Sequence, residues 1–250
     1  MRQLESVNEH TNYLKTHFER VKRVLDRRQT DLTVCLEEVH KHHNLSAIAR
    51  TADATGCHHV HAVWPENQKW LTNNTSGGSK NWLETHLHRN IDEAVAMMRA
   101  QNPEVQILAT HLSDDAVDFR EIDYTKPTAV IVGQERDGIS PRALAHADKN
   151  IIIPMQGMVQ SLNVSVAAAL ILFEAQRQRE EAGLYNRDML DAKIKHRILF
   201  EGCHPIIAEQ CREKELPYPE LDENGEIVAD ETFWNILKHT QPLEATNECK

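Results

Sequence analysis

The sequence predicts an α/β fold built on a parallel sheet with helices on both faces. Short apolar runs alternate with amphipathic helical segments through the central part of the chain, which is the pattern of successive βα units. The run at 128–132 is continuously apolar, as in strands that are buried on both faces of a parallel sheet. A chain of 250 residues accommodates one such domain with terminal extensions. We therefore expect a basic helical extension over 1–30, a central domain over 31–184, and a helical, acidic extension over 185–250.

The helices are predicted from apolar spacing and from residues that favour helix ends. The spacing predicts an amphipathic helix over 10–28 with a basic outer face, because one side carries Leu14, Phe18, Val21 and Leu25. Asn44 and Gly56 are typical of the two ends of a second helix. Ser140 followed by Pro141 predicts the start of a short helix. Two further helices are predicted over 91–100 and 162–181.

The strands are short apolar runs between these helices, and one polar segment interrupts the alternation. Residues 65–81 are rich in Asn, Ser, Thr and Gly and predict a long loop, a feature that is often functional in a compact domain. The predicted strands are 32–36, 60–64, 105–110, 128–132 and 151–153.

The charge distribution leaves two interpretations of the N-terminal helix open. The formal net charge of −10 at first argues against a nucleic-acid partner. Most of that charge lies in 201–250, which has 12 acidic and 4 basic residues, whereas 15–28 has six basic and two acidic residues. The basic helix is therefore either a solvated surface or a phosphate-binding face.

Several protein classes are excluded by motifs that the sequence lacks. No two of the nine glycines are separated by a single residue, so there is no GxGxxG dinucleotide-binding motif. Gly133 and Gly138 have Walker A spacing, but Ile139 replaces the lysine that would reach the phosphates. The five cysteines form neither a CxxC motif nor a disulfide framework. Without a secretory signal or an apolar run of the roughly 20 residues that a membrane span needs, the chain is predicted to be cytoplasmic.

Metal binding and carboxylate catalysis are disfavoured by spacing. The histidines cluster, but no HExxH motif accompanies them, so we expect no metal. Glu37 and Glu38 directly follow a predicted strand, and adjacent residues in an extended chain point to opposite faces, which makes a poor acid–base pair. Cys35 and Cys57 are interpreted as small core residues. The two histidine clusters are His40, His42 and His43, and His58, His59 and His61.

The predicted ligand site lies at the carboxyl ends of the strands, where open α/β sheets bind ligands. The loops after 110, 132 and 153 would meet there, and the last two hold the most unusual residues. Segment 133–138 is glycine-bearing, and segment 154–163 leads into a helix start. Ser161 and Asn163 suit helix N-termini, where free N–H groups can also hold a polar ligand.

Three segments together resemble the motifs of a known family. His43-Asn44-Leu45-Ser46-Ala47-Ile48-Ala49-Arg50-Thr51 and the residues through Gly56 resemble the first motif of the SpoU branch of the SPOUT methyltransferases. Gly133-Gln134-Glu135 with Gly138 resembles the second, and 152–167 resembles the third. Because all three occur in order at compatible spacing, the chain is identified as similar to SpoU/TrmH-type RNA 2′-O-ribose methyltransferases over nearly its whole length.

This resemblance implies a homodimer whose parallel-sheet SPOUT fold contains a C-terminal trefoil knot. It also implies S-adenosylmethionine as the methyl donor, bound in the knot largely through main-chain groups. The implied cofactor-binding positions are Thr110, Gly133, Ile153 and Leu162. They agree with the ligand site that the sheet pattern predicts at the strand ends.

The resemblance also assigns roles to individual residues. Arg50 matches the catalytic arginine, and the other motif positions are Asn44, Glu135, Ser161 and Asn163. Arg50 would act either as a base or as an electrostatic stabiliser of the ribose 2′-oxygen, and the sequence leaves both open. Asn44 and Asn163 would orient loops or would only cap helices. Glu135 would fix the glycine-bearing loop or face the cationic donor.

The implied reaction is 2′-O-methylation of a tRNA ribose, at the D-loop guanosine of position 18. Two alternatives stay open: the same reaction on another RNA such as rRNA, and a non-catalytic RNA-binding protein that retains the fold. RNA recognition would depend on shape and phosphate contacts, because no RNP motif is present. The expected RNA-binding residues are Arg20, Arg27, Arg28, His43 and Arg177.

Overall fold

The computed structural model describes residues 2–64, 82–134 and 136–238, with side chains from residue 12 onward. The described residues group into two compact units. One unit is Val24–Leu190, and the other joins the residues up to Arg23 with those from Asp191 onward. The predicted division at 30/31 and 184/185 stays a prediction.

The larger unit is built on a parallel sheet of seven strands, as the sequence predicts. The spatial order is β3-β2-β1-β6-β4-β7-β5, and every pairing is parallel. Two strands were not predicted: β3, which is polar, and β5, which has two residues. The strands are β1 (Leu32–Glu37), β2 (His59–Val63), β3 (Glu84–His88), β4 (Gln106–Thr110), β5 (Val117–Asp118), β6 (Thr128–Val132) and β7 (Lys149–Ile152).

Helices cover both faces of this sheet and bury two apolar clusters against it. Along β1, Val34 and Leu36 point into one cluster and Cys35 into the other, as expected for alternating strand side chains. Cys35 and Cys57 are fully buried, so both are core residues as predicted, and burial raises the pKa of Cys57 to about 11. The helices of this unit are α2 (His42–Ala54), α3 (Ile91–Gln101), α4 (Pro141–Leu144) and α5 (Val164–Glu181).

The second helix ends as predicted but begins differently. Gly56 has a φ of +80° and, with Cys57, closes the helix through N–H bonds to Asp53 O and Ala52 O, which is a Schellman arrangement. The prediction that Asn44 caps the helix is wrong, because α2 starts at His42 and Asn44 lies inside its first turn. Asn44 is therefore available for a contact with another element.

The other unit combines the N-terminal helix with the C-terminal part of the chain. Phe200 stacks on Tyr218 with ring centroids 4.7 Å apart. Phe18 of the first helix packs so closely on Gly225 that a Cβ there would lie 2.7 Å from it. The elements are α1 (Arg2–Leu25), which continues into the larger unit, α6 (Ala192–Cys203), α7 (Pro205–Glu213), the antiparallel pair β8 (Glu220–Leu221) and β9 (Ile227–Val228), and α8 (Glu231–Lys238).

Two expectations stay open, and one is addressed by the described helices. The predicted loop 65–81 lies outside the described residues. The trefoil knot stays a prediction. Among the described helices, none is both long enough and apolar enough to cross a membrane.

Candidate functional site

The carboxyl edge of the sheet brings together the segments that the sequence singled out. Because all pairings are parallel, β1, β6, β4 and β7 end at this edge as direct neighbours. Thr110 is the last residue of β4, Gly133 follows β6, and Ile153 follows β7. Leu162 lies two residues before α5 and is partly exposed. Three of the four predicted cofactor-binding positions therefore lie at the ends of adjacent strands.

The loop after β6 folds back on itself and leaves no room for a side chain at Gly133. The N–H of Gln134 donates to Gly138 O at 3.0 Å, and the N–H of Gly138 donates to Gln134 O at 3.1 Å. A Cβ on Gly133 would lie 2.2 Å from Gly138 O, far inside van der Waals contact. Glycine at position 133 is therefore what allows this loop to close on itself. Glu135 lies outside the described residues.

Two carboxylates of β1 and the residue after it anchor this loop. The buried Glu37 accepts hydrogen bonds from Ser140 N at 2.9 Å and from Ser140 Oγ at 2.5 Å. Glu38 accepts one from Gln134 Nε2 at 2.7 Å. The two carboxylates bind different partners, which agrees with the prediction that they do not form an acid–base pair. Sequence reasoning missed this anchoring role, because the partners are about a hundred residues apart in the chain.

A pair of asparagines joins the start of α5 to α2. Asn163 caps α5, since its Oδ1 accepts from Ser165 N at 2.8 Å. Its Nδ2 donates to Oδ1 of Asn44 at 3.2 Å. Asn44 is only 1% exposed, so this contact is made by a buried amide. Asn163 is both a cap and a cross-link, whereas Ser161 precedes the cap and is exposed.

Arg50 projects from α2 into solvent. It forms no hydrogen bond or ion pair with any residue that the structure describes. It is six positions after Asn44, which places it about 9 Å further along the helix axis and on a different face. Its guanidinium is therefore a charged fork of donors that is not neutralised by described neighbours.

Burial contradicts the prediction that Arg28 contacts RNA. The chain leaves α1 at Leu25, and the Arg28 side chain then turns beneath the C-terminal end of α2. There it is fully buried and donates to Asp53 Oδ1 at 2.5 Å, Asp53 O at 3.2 Å and Cys57 O at 3.0 Å. A cation is favourable at this end of a helix, where carbonyls lack partners. Arg28 is a structural residue.

The other predicted RNA-binding residues differ in how their charge is compensated. Arg27 Nη2 donates to both carboxylate oxygens of Glu180, at 2.9 and 3.1 Å. Arg177 is held between Glu174 and Glu181, with N–O distances from 2.7 to 3.0 Å. Arg20 and His43 are exposed and form no such pairs within the described part of the chain.

Comparison with known proteins establishes the family. The model of the SpoU rRNA Methylase family matches residues 31–173, and the model of the SpoU rRNA methylase C-terminal region matches 177–230. The chain belongs to the SpoU rRNA methylase family. This confirms the prediction made from the three motifs, all of which lie within the first matched region.

Individual relatives show how far this likeness extends. The chain is 56% identical over 225 residues to the tRNA (guanosine(18)-2′-O)-methyltransferase of Escherichia coli K12, which covers 89% of this chain and 97% of the relative. The crystal structure of the Aquifex aeolicus TrmH/SpoU tRNA modifying enzyme superposes with a TM-score of 0.70 at 42% identity, over 77% of this chain and 98% of that one. The SpoU methyltransferase AviRb from Streptomyces viridochromogenes, in complex with the cofactor AdoMet, has a TM-score of 0.55 at 28% identity, over 61% and 62%.

Proposed function

We propose that this chain transfers a methyl group from S-adenosylmethionine to the ribose 2′-oxygen of guanosine 18 in tRNA, in the cytoplasm. The observation that carries this proposal is the likeness to the E. coli guanosine-18 methyltransferase, because it extends over 97% of that relative. It therefore includes the C-terminal region as well as the sheet and its three motifs.

The carboxyl edge suits this donor because it offers main-chain groups beside a side-chain-free position. Thr110, Gly133, Ile153 and Leu162 would hold the adenosine part through their backbone, and Gly133 allows the loop after β6 to close tightly beside them, which a Cβ would prevent. The donor supplies a methyl group on a positively charged sulfur. By the family resemblance, Glu135 of the second motif would either fix the glycine-bearing loop or interact with that charge.

Arg50 would act on the 2′-oxygen, which is a weak nucleophile as a hydroxyl. A guanidinium remains protonated in proteins, so it is better suited to stabilise negative charge that develops on the oxygen than to remove the proton. Its exposure and lack of neutralising partners among the described residues support this assignment. The Asn44–Asn163 hydrogen bond would position α2, and with it Arg50, against the loop that leads into α5.

tRNA would bind through exposed basic residues of α1, because these charges are not compensated by any side chain that the structure describes. Arg20 is the predicted contact that fits best, while Arg27 and Arg177 would have to exchange a carboxylate for a phosphate. His43, the first residue of the first motif, would lie near the RNA phosphates. The exposed basic residues of α1 are Lys15, Arg20, Lys22 and Arg23.

The active form would be a homodimer with the knotted fold of the family. On α5, Val166, Leu170 and Phe173 follow helical spacing and are 47, 43 and 50% exposed. Met158 and Val159, in the loop before α5, are also exposed. Exposed apolar side chains that line up along one helix are typical of a protein–protein interface. A second copy of this chain would cover this apolar stripe.

The test is methyl transfer from labelled donor to an unmodified tRNA transcript, followed by mapping of the modified nucleoside. We expect label in 2′-O-methylguanosine at position 18, and none in a transcript in which that guanosine is replaced by adenosine. Label in rRNA instead would favour the alternative that the family's name suggests. Absence of donor binding in calorimetry would favour the non-catalytic RNA-binding protein.

A further inference from the structure

The β3 edge of the sheet, among the residues that the structure describes, carries a cluster of histidines outside the candidate active site. It lies on β2, β3 and the residue before β2, and we refer to it as the histidine edge. Its members are His58, His59, His61, His86 and His88, together with Glu84. His58 and Glu84 lie at the amino ends of their strands, opposite to the carboxyl edge that holds the candidate active site.

Strand pairing places a carboxylate beside two of these histidines. β2 and β3 are parallel with His59 opposite Glu84, and the N–H of Glu84 donates to His58 O at 2.8 Å. The Nε2 of His58 lies 3.4 Å from Oε2 of Glu84, and the Nδ1 of His59 lies 3.8 Å from the same oxygen. These three potential ligand atoms all lie within 4.8 Å of one another.

These distances are close to those of a tetrahedral metal centre. With metal–ligand bonds of about 2.0–2.2 Å, two ligand atoms of a tetrahedral site are separated by about 3.3–3.6 Å. The strand backbone is already hydrogen-bonded in the required register, so small side-chain movements would complete the geometry. Glu84 is 36% exposed and His59 is 14% exposed, which leaves a path for the ion and a position for water.

The hydrogen bond that His59 makes on the histidine edge can be exchanged for a metal bond. Nδ1 of His59 now shares a proton with Nε2 of His86 at 3.0 Å. A metal on His59 would replace that hydrogen bond, while His86 retains a contact with Gln101 at 3.4 Å.

We propose that His58, His59 and Glu84 bind one divalent transition-metal ion of the zinc class, with water as the fourth ligand. Two imidazoles and one carboxylate form a donor set that zinc uses widely. The ion would join β3 to β2 and so fix the edge strand, a structural role that is separate from methyl transfer. The sequence alone disfavoured metal because it gave no indication of β3, whose pairing brings Glu84 to the histidines.

The test uses untagged, chelator-treated protein and Co²⁺ as a spectroscopic probe, followed by calorimetric titration with Zn²⁺. We expect one Co²⁺ per chain with a tetrahedral visible spectrum, and a higher Tm when Zn²⁺ is present. Changes around a ligand typically cost about 10–100-fold in metal affinity, so loss of a ligand itself in Glu84→Gln or His59→Gln should cost at least that much.

Glu104→Gln removes an exposed carboxylate outside this cluster and should bind metal like the wild type. All three variants should keep wild-type affinity for S-adenosylmethionine, which also verifies that they are folded. The proposal is overturned if the wild type binds no Co²⁺ with a tetrahedral spectrum. It is equally overturned if Glu84→Gln and His59→Gln bind as the wild type does, because the metal would then be held by other histidines.

Discussion

Substitution of two arginines near the N-terminus should separate fold stability from RNA binding. Arg28→Ala removes a fully buried cation and the three hydrogen bonds that it donates to Asp53 and Cys57. Arg20→Ala removes an exposed cation that has no partner among the described residues. We expect the first variant to be less stable with unchanged tRNA affinity per folded molecule, and the second to bind tRNA more weakly with unchanged stability.

The size of the Arg28 effect follows from its surroundings. Arg28 is fully buried and Asp53 is 29% exposed, so removal of Arg28 leaves a partly exposed carboxylate and two carbonyl oxygens without their donors, at a total cost of about 3–5 kcal/mol. The exposed pair of Arg27 with Glu180 should contribute only about 0.2–1 kcal/mol, so Arg27→Ala is the matched control. In a chain of this size each kcal/mol lowers Tm by about 2–4 °C, so Arg28→Ala should lower it by roughly 6–20 °C.

The assay is denaturant unfolding of Arg28→Ala, Asp53→Ala and the double variant, with tRNA affinity measured over a salt series. The coupling energy of this cycle should be large, because the two side chains are in direct contact at 2.5 Å. Arg20→Ala should reduce the slope of log affinity against log salt concentration by about 0.9, the value expected for loss of one phosphate contact. The reasoning is refuted if Arg28→Ala unfolds like the wild type while its tRNA affinity and salt slope fall.

Three further outcomes are expected at the candidate active site and the apolar stripe. Arg50→Ala should lower the single-turnover methylation rate about 10²–10³-fold with unchanged donor affinity. Arg50→Lys should still be impaired, because lysine lacks the planar guanidinium fork. A near-normal rate for Arg50→Ala would contradict the assigned role. Gly133→Ala should weaken S-adenosylmethionine binding about 10–100-fold, the equivalent of about 1–3 kcal/mol of backbone strain. Gly157→Ala is the control and should bind normally, because a Cβ there meets nothing within 4 Å. Equal affinities of the two variants in calorimetry would argue against this account of the loop. Phe173→Glu should convert the dimer to a monomer in sedimentation, and a dimer of unchanged affinity would show that the stripe on α5 is not the interface.

The parts of the fold that could be predicted are those set by local patterns. The apolar runs and their alternation with helices indicated the parallel sheet, and the parallel sheet in turn placed Thr110, Gly133 and Ile153 at one edge. Ser140 caps α4 as predicted, because capping depends on residues three positions apart. The family motifs added the reaction, which no pattern of periodicity could supply.

The parts that could not be predicted depend on contacts between distant residues. Arg28 follows a basic amphipathic helix in sequence, and only its pairing with Asp53, 25 residues away, buries it. The polar strand β3 lacks the apolar alternation of a buried strand, so neither the strand nor its position at the edge of the described sheet could be predicted from the sequence. Asn44 resembles a cap in sequence, but the partner that explains it is Asn163, 119 residues further on.

The contact between Asn163 and Asn44 restricts which residues can occupy position 163. Its side-chain oxygen accepts a hydrogen bond from the first turn of α5, and its side-chain nitrogen donates one to the buried Asn44 of α2. Position 163 therefore needs both an acceptor and a donor. Asn163→Asp retains the acceptor and loses the donor, and Asn163→Ser retains a cap but is too short to reach across. Each of these substitutions therefore loses one of the two contacts. The lost contact is either the hydrogen bond to α2, which carries Arg50, or the cap of α5, which follows segment 154–163.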